Sequence, residues 1–245
     1  MEQRNLGKSG LQVSVVGLGC NNFGGRIDLE ATRRVASLRR LKTDWIDLYQ
    51  QHQPDPLTPI EESLRALDDL VRQGKVRYIG CSTLPGWQVV EAQWTAKYHG
   101  LHHFVSCQEE YSLLARRLDR EMMPVLEAYD LGLIPFAPLA NGLLTGKYKR
   151  HMPPPEGARL TYMQRAAGRY LTDDNWAIVE RLEGFAAERG RTLLELAVSW
   201  LARRPQVASV IAGATKPEQV EENVRAAGWA LTEEDMREID RLTAG

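Results

Sequence analysis

Six places in this 245-residue chain combine side chains in ways that could do chemistry. His52 closes the apolar run IDLYQQH and is followed one residue later by Pro54. Histidine titrates near neutral pH, so it can orient a carbonyl oxygen and share a proton with it. Ser82 follows RYIGC, Gln108 follows FVSC, and Phe136 closes LIPF. A hydroxyl, an amide and an aromatic ring can hold a planar polar ligand by hydrogen bonds and stacking. Leu139, Asn141 and Lys147 fall in the string PLANGLLTGKY, whose lysine offers a compact positive charge to an anion. Gly213, Thr215 and Lys216 precede a proline-initiated helix pattern, and the N-terminus of a helix is an anion site. Gly213 lets backbone approach a ligand closely, and Gln219, Glu222 and Asn223 share one face of the helix that follows.

Each residue also has a plainer reading. A lone histidine or a strand-end glutamine can be solvated, Phe136 can belong to the core, and helix-cap charges are common. Gly17-Leu18-Gly19 follows a strand pattern, but no glycine stands three residues beyond Gly19, so it is not a dinucleotide fingerprint. His99, His102 and His103 cluster before a strand and read as a solvated loop. Lys147–His151 is too short a basic run to argue for nucleic acid.

The elements that must position these residues follow from periodicity. Short apolar runs, many of them β-branched, recur at 13–18, 45–49, 76–79, 104–106, 133–137 and 207–211, which suits strands buried on both faces. Helical spacing lies between them at 58–73, 120–130, 174–189, 191–203 and 217–227. Strand and helix alternate at intervals of about thirty residues, the mark of βα units and a parallel sheet. Residues at the carboxyl ends of such strands face a common site. Residues 4–6 and 11–13, joined by Gly7-Lys8-Ser9-Gly10, read as a small hairpin over the floor. Residues 149–171 contain HMPPPEG and read as a long lid loop.

The bulk properties set bounds. Basic and acidic residues number 31 and 32, for a net charge of -1, so the chain offers no general attraction for nucleic acid or anionic membrane. No window is apolar for the ~20 residues of a membrane span, and the first ten residues lack the apolar stretch of a signal peptide. Cys20, Cys81 and Cys107 are odd in number and widely spaced, which fits a reducing cytoplasm, and no spacing suggests a metal site.

The strand-end motifs Gln51-His52-Gln53-Pro54, Gly80-Cys81-Ser82, Gln108-Glu109-Glu110-Tyr111, Pro135 to Leu139 and Gly213 to Asn223 together resemble the aldo-keto reductase family. The resemblance implies one α/β domain over 1–245, a TIM (β/α) barrel. Only six of its eight strands have a counterpart here, and two colinear blocks meet near Val35-Ala36. One helix, 28–42, fits between the first strand and His52. By resemblance His52 is catalytic. Ser82 and Gln108 hold the nicotinamide carboxamide, with Thr83 standing where the family has Asn, and Phe136 stacks on the nicotinamide ring. Leu139, Asn141 and Lys147 approach the pyrophosphate, while Ala137 replaces a serine of many relatives. Gly213, Thr215, Lys216, Gln219, Glu222 and Asn223 hold the adenosine end. Lys216 with Arg159 favours NADP(H), NAD(H) being the alternative. The implied reaction is hydride transfer to an aldehyde or ketone, without metal, and self-association stays open. The family's acid tyrosine, its lysine and their aspartate should precede His52 in motifs resembling DTAxxYG and TK, and neither motif lies there. A non-catalytic nucleotide-binding relative is therefore the competing reading.

Overall fold

The computed structural model describes residues 2–18, 43–214 and 216–244. The helix expected at 28–42, the join near Val35-Ala36, Cys20 and Thr215 lie outside the described residues.

Among the described residues, six parallel strands carry the fold. Strands β4 (Ile46–Gln51), β5 (Val76–Ser82), β6 (Phe104–Glu110) and β7 (Gly132–Phe136) form a sheet in that order, and β3 (Val16–Leu18) pairs with β8 (Val210–Ala212). A parallel bridge between Leu133 and Val207 joins the two sets, with Leu133 N–H donating to Gln206 O at 2.7 Å and Ala208 N–H to Leu133 O at 2.9 Å. The resulting row is β4-β5-β6-β7-β8-β3. Its end strands, β4 and β3, are the two that flank the gap read from the sequence. They do not pair with each other among the described residues, so no closed barrel is seen there.

A hairpin of β1 (Gln3–Asn5) and β2 (Gln12–Ser14) lies against the floor. Gly7 makes this possible: its φ is +59°, and a Cβ there would sit 2.3 Å from the Asp130 carbonyl oxygen. Leu6 is fully buried beside it.

The helices are α1 (Ile60–Arg72), α2 (Gly86–His99), α3 (Met122–Ala128), α4 (Arg159–Tyr162), α5 (Gln164–Tyr170), α6 (Asp173–Glu188), α7 (Leu193–Arg203), α8 (Pro217–Ala226) and α9 (Glu233–Thr243). Helix α7 starts at a capping box, Thr192 with Glu195, and buries Leu196, Ala197, Trp200 and Leu201. Four helices go beyond the periodic windows: α2, α9 and the short α4 and α5. Helix α9 starts at the Thr232–Asp235 capping box. Helix α2 buries Val89, Ala92 and Ala96 together with Gly86 and the polar Gln93, while Trp87, Trp94 and Tyr98 face out, so its apolar residues do not segregate to one side. The lid is the main correction. Residues 149–158 are irregular, as the prolines require, but the proline-free segment after them folds into α4 and α5.

Candidate active site

The carboxyl ends of β4 to β7 bring four of the expected residues into one arc. Ser82 pairs in register with Gln108, and Glu110 with Phe136. The Ser82 hydroxyl donates to the Gln108 carbonyl oxygen at 2.8 Å and is 2% exposed. Its proton is thereby used, leaving a lone pair as acceptor. The Gln108 side chain accepts from Gln50 Nε2 at 2.9 Å, which leaves the Gln108 NH₂ as donor. One acceptor and one donor side by side complement a primary amide. Gln50 is a residue the sequence did not single out. Its alternation with Tyr49 along β4 puts Tyr49 on the opposite face of the sheet. The Gln50 Oε1 atom is buried without a partner.

His52 is exposed just past β4, and its carbonyl accepts from Thr83 Oγ1 at 3.2 Å. Thr83 N–H donates to the Gln108 carbonyl at 3.3 Å, so the turn after β5 bridges the ends of β4 and β6. Phe136 is half-buried at the end of β7.

Beyond β7 the chain winds through a 3₁₀ segment, Ala140–Thr145, with Ala140, Asn141 and Gly142 at φ of +46°, +56° and +101°. Within it the Ala140 and Gly142 N–H groups donate to the Ala137 and Leu139 carbonyl oxygens, at 3.0 and 2.8 Å. Gly142 leaves room for Lys147: a Cβ there would lie 3.2 Å from its Nζ. Lys147 is exposed and rests over the Tyr148 ring at 5.3 Å. Leu139 is half-buried between two parts of the core.

At β8, Gly213 is exposed, and the nearest atom to a Cβ there is Arg159 Nη1 at 3.9 Å, from the lid. Lys216 and Glu222 are exposed, Gln219 is half-buried and Asn223 is buried on α8. The lid is fixed at its far end to β6. Glu110 accepts from Tyr170 Oη and pairs with Arg169 at 2.8 Å, and burial followed by that hydrogen bond pushes the Tyr170 hydroxyl pKa up.

Sequence spacing could not show Glu109. Its carboxyl is 5% exposed, and burial raises its pKa to about 7 against the opposing N–H groups of Thr83 and Leu84 and the charge of Arg117. Cys81 and Cys107 are fully buried, 3.4 Å apart, in register on β5 and β6. Of the three histidines set aside from the site, His102 meets Asp68, His99 meets Glu61, and His103 is exposed. No group of three or more metal-type ligands lies together among the described residues, and no helix there is long and apolar enough to cross a membrane.

Polar residues gathered at the carboxyl ends of parallel βα strands are the arrangement on which barrel enzymes build their sites. The chain belongs to the aldo/keto reductase family, whose model matches residues 21–244. Among curated relatives, it is 39% identical to a rice protein named "Probable voltage-gated potassium channel subunit beta", over 78% of this chain and 58% of the relative. It is 36% identical to "Aldo-keto reductase AMT2" of Alternaria alternata, over 84% of this chain and 54% of the relative. It is 33% identical to a soybean protein named "Probable aldo-keto reductase 1", over 82% of this chain and 56% of the relative. The chain thus spans less than two thirds of the length of these relatives.

Proposed function

We propose that the strand-end arc is a nicotinamide dinucleotide site and that the chain descends from, and retains the binding half of, a reductase acting on aldehydes or ketones. The observation that carries this is the Ser82–Gln108 pair, a donor and an acceptor already fixed by Gln50 and by the β6 backbone. They fit a carboxamide. Lys147, exposed beside Gly142, fits a pyrophosphate by its charge, and the open face of Gly213 beside Arg159 leaves space where a side chain would intrude.

The bound dinucleotide would supply hydride. Around it, Ser82 and Gln108 would fix the plane of the carboxamide, and Phe136 would cover one face of the ring, so that a single face is presented. Leu139, Asn141 and Lys147 would take the diphosphate. Gly213, Thr215, Lys216, Gln219, Glu222 and Asn223 would take the adenosine, with Lys216 and Arg159 favouring a 2′-phosphate and hence NADP(H) over NAD(H). His52 would donate a hydrogen bond to the substrate carbonyl oxygen, polarising it.

Reduction also needs a proton for that oxygen. In the family a tyrosine, its pKa lowered by a lysine, gives it. Residues 19–45 contain no tyrosine and Lys42 as their sole lysine, and Tyr49 is on the wrong face of β4. This favours a second reading, nucleotide binding without turnover. A positioned acid is worth ~10²–10⁴ in rate, and that is the deficit expected. Titrating NADPH by its fluorescence, alongside NADPH-coupled reduction of an aromatic aldehyde, separates the readings. Binding with brisk turnover supports the reductase. Binding without it supports the second reading. No binding by the native chain, or unchanged affinity in Gln108→Ala, removes the arc from the site.

A further inference from the structure

The group that holds the Gln108 amide comes from two strands away. Gln50, on β4, donates to Gln108 Oε1, on β6, at 2.9 Å, and β5 lies between them in the sheet. Neighbouring strands are about 4.8 Å apart, so the two glutamines meet across roughly 10 Å of sheet. A side chain on the near face of β5 would fill that space. The residue of β5 in register with Gln50 is Gly80. A Cβ on Gly80 would lie 3.3 Å from Gln50 Oε1 and 2.5 Å from Ser106 Oγ of β6. The Ser106 backbone oxygen is 3.1 Å from the same point, so turning the Ser106 hydroxyl away would not by itself make room. The next residue of β5 on that face is Ser82, whose hydroxyl turns to the Gln108 backbone oxygen at 2.8 Å.

The register of β5 against β6 changes at this point. Ile79 pairs with Phe104, but Cys81 pairs with Cys107 and Ser82 with Gln108, so β6 carries one extra residue beside Gly80. Such irregularities re-aim side chains and are common next to sites. Here the shift brings Gln108 level with Ser82. The other end of the Gln50 amide does not explain its place: Oε1 is buried without a partner, which costs stability rather than adding to it.

We propose that Gln50 is a positioning residue: reaching across the gap left by Gly80, it holds the Gln108 amide with its oxygen turned inward and its NH₂ turned toward the ligand. The consequence for nucleotide affinity rests on the dinucleotide reading above; the hold on Gln108 does not. A released amide can turn over and present its oxygen, which a carboxamide oxygen would not accept as a partner.

Side-chain amide NMR of the nucleotide-free chain, labelled with ¹⁵N-glutamine, tests the hold directly. The two signals are assigned by their loss in Gln50→Leu and Gln108→Ala. The Gln108 amide should be rigid in the native chain, with an order parameter of ~0.8, and should fall below ~0.6 in Gln50→Leu. Gly80→Ala should loosen it in the same way. The Gln50 NH₂ should exchange with water more slowly than that of Gln108 by about tenfold, the scale of one hydrogen bond. A Gln108 left rigid in either variant overturns the proposal. So does the reverse order of exchange, which would make Gln108 the donor. NADPH titration then reads the consequence. Gln50→Leu should weaken binding by about three- to tenfold, again one net hydrogen bond, and should cost nothing further in a Gln108→Ala background. A residue that served packing alone would cost the same in both backgrounds, and that result overturns the proposal. If the native chain binds no NADPH, the dinucleotide reading falls alone and the NMR result still decides. If neither Gln50→Leu nor Gly80→Ala folds, the native chain decides, because a Gln108 amide that is mobile there overturns the proposal.

Discussion

Two carboxylates are buried almost equally in this molecule and have opposite characters. Asp68, on α1 at the floor, is 3% exposed; Glu109, on β6 at the rim, is 5% exposed. Burial works to raise both. At Asp68 it is outweighed by hydrogen bonds from Arg72, the His102 N–H at 2.9 Å and the His102 ring at 2.6 Å, which bring its pKa down to about 2. At Glu109 burial wins, and the pKa is about 7. The difference lies in the completeness of the donor set, not in depth. A buried carboxylate with all its donors ties two elements together, here α1 to the loop before β6. One with donors missing keeps an incompletely compensated charge in the interior. Perturbed groups of the second kind gather at functional sites.

The largest effect expected is at the floor. Asp68→Ala removes three hydrogen bonds and releases the loop before β6. It should cost about 2–3 kcal/mol of unfolding free energy at pH 7, read by denaturant titration. The folded pKa of Asp68 lies below its unfolded value, so its contribution is full above about pH 5 and is lost as pH falls through about 2. The variant and the native chain should therefore converge in acid. A loss under ~0.5 kcal/mol at pH 7 would make Asp68 an ordinary surface charge and end the contrast.

At the rim the sign reverses. The folded pKa of Glu109 lies above its unfolded value, so folding favours the protonated form. That contribution is complete below about pH 4 and is lost as pH rises through 7. Glu109→Gln should match the native chain near pH 4 and exceed it at pH 8 by on the order of 2 kcal/mol. If Glu109→Gln is destabilised at pH 8, the carboxylate contributes to the fold as Asp68 does, and the two regions do not differ in kind.

The contrast also marks what a linear reading can reach. The six strands, their order and the residues at their ends were legible, because buried parallel strands are continuous apolar runs and their carboxyl ends must converge. Helix α2 was not, since Trp87, Trp94 and Tyr98 on its outer face cancel the asymmetry that Val89, Ala92 and Ala96 create. The helices of the lid were hidden by the prolines ahead of them. Asp68 with His102 was hidden by 34 intervening residues. Glu109 stands in a run of three polar residues that reads as a solvated strand end. Only the turn after β5, folded back across β6, shows that it is buried.

The smallest effect concerns the two lysines of the rim. Lys147 and Lys216 are exposed and form no ion pair among the described residues, so each is available to a phosphate. Lys147 lies by the left-handed turn at Gly142, and its loss should weaken NADPH and NADH alike, because both carry the diphosphate. Lys216 precedes α8, where Arg159 closes on Gly213 from the lid. Its loss should weaken NADPH alone, by about fivefold at low salt, the scale of one exposed charge at a helix N-terminus. Raising ionic strength to 1 M shortens the screening length to ~3 Å and should erase most of that difference. Titrating both nucleotides against Lys216→Ala at two salt concentrations reads the outcome directly. Equal losses for NADPH and NADH would mean that Lys216 does not meet a 2′-phosphate, and the preference for NADP(H) would then rest on Arg159.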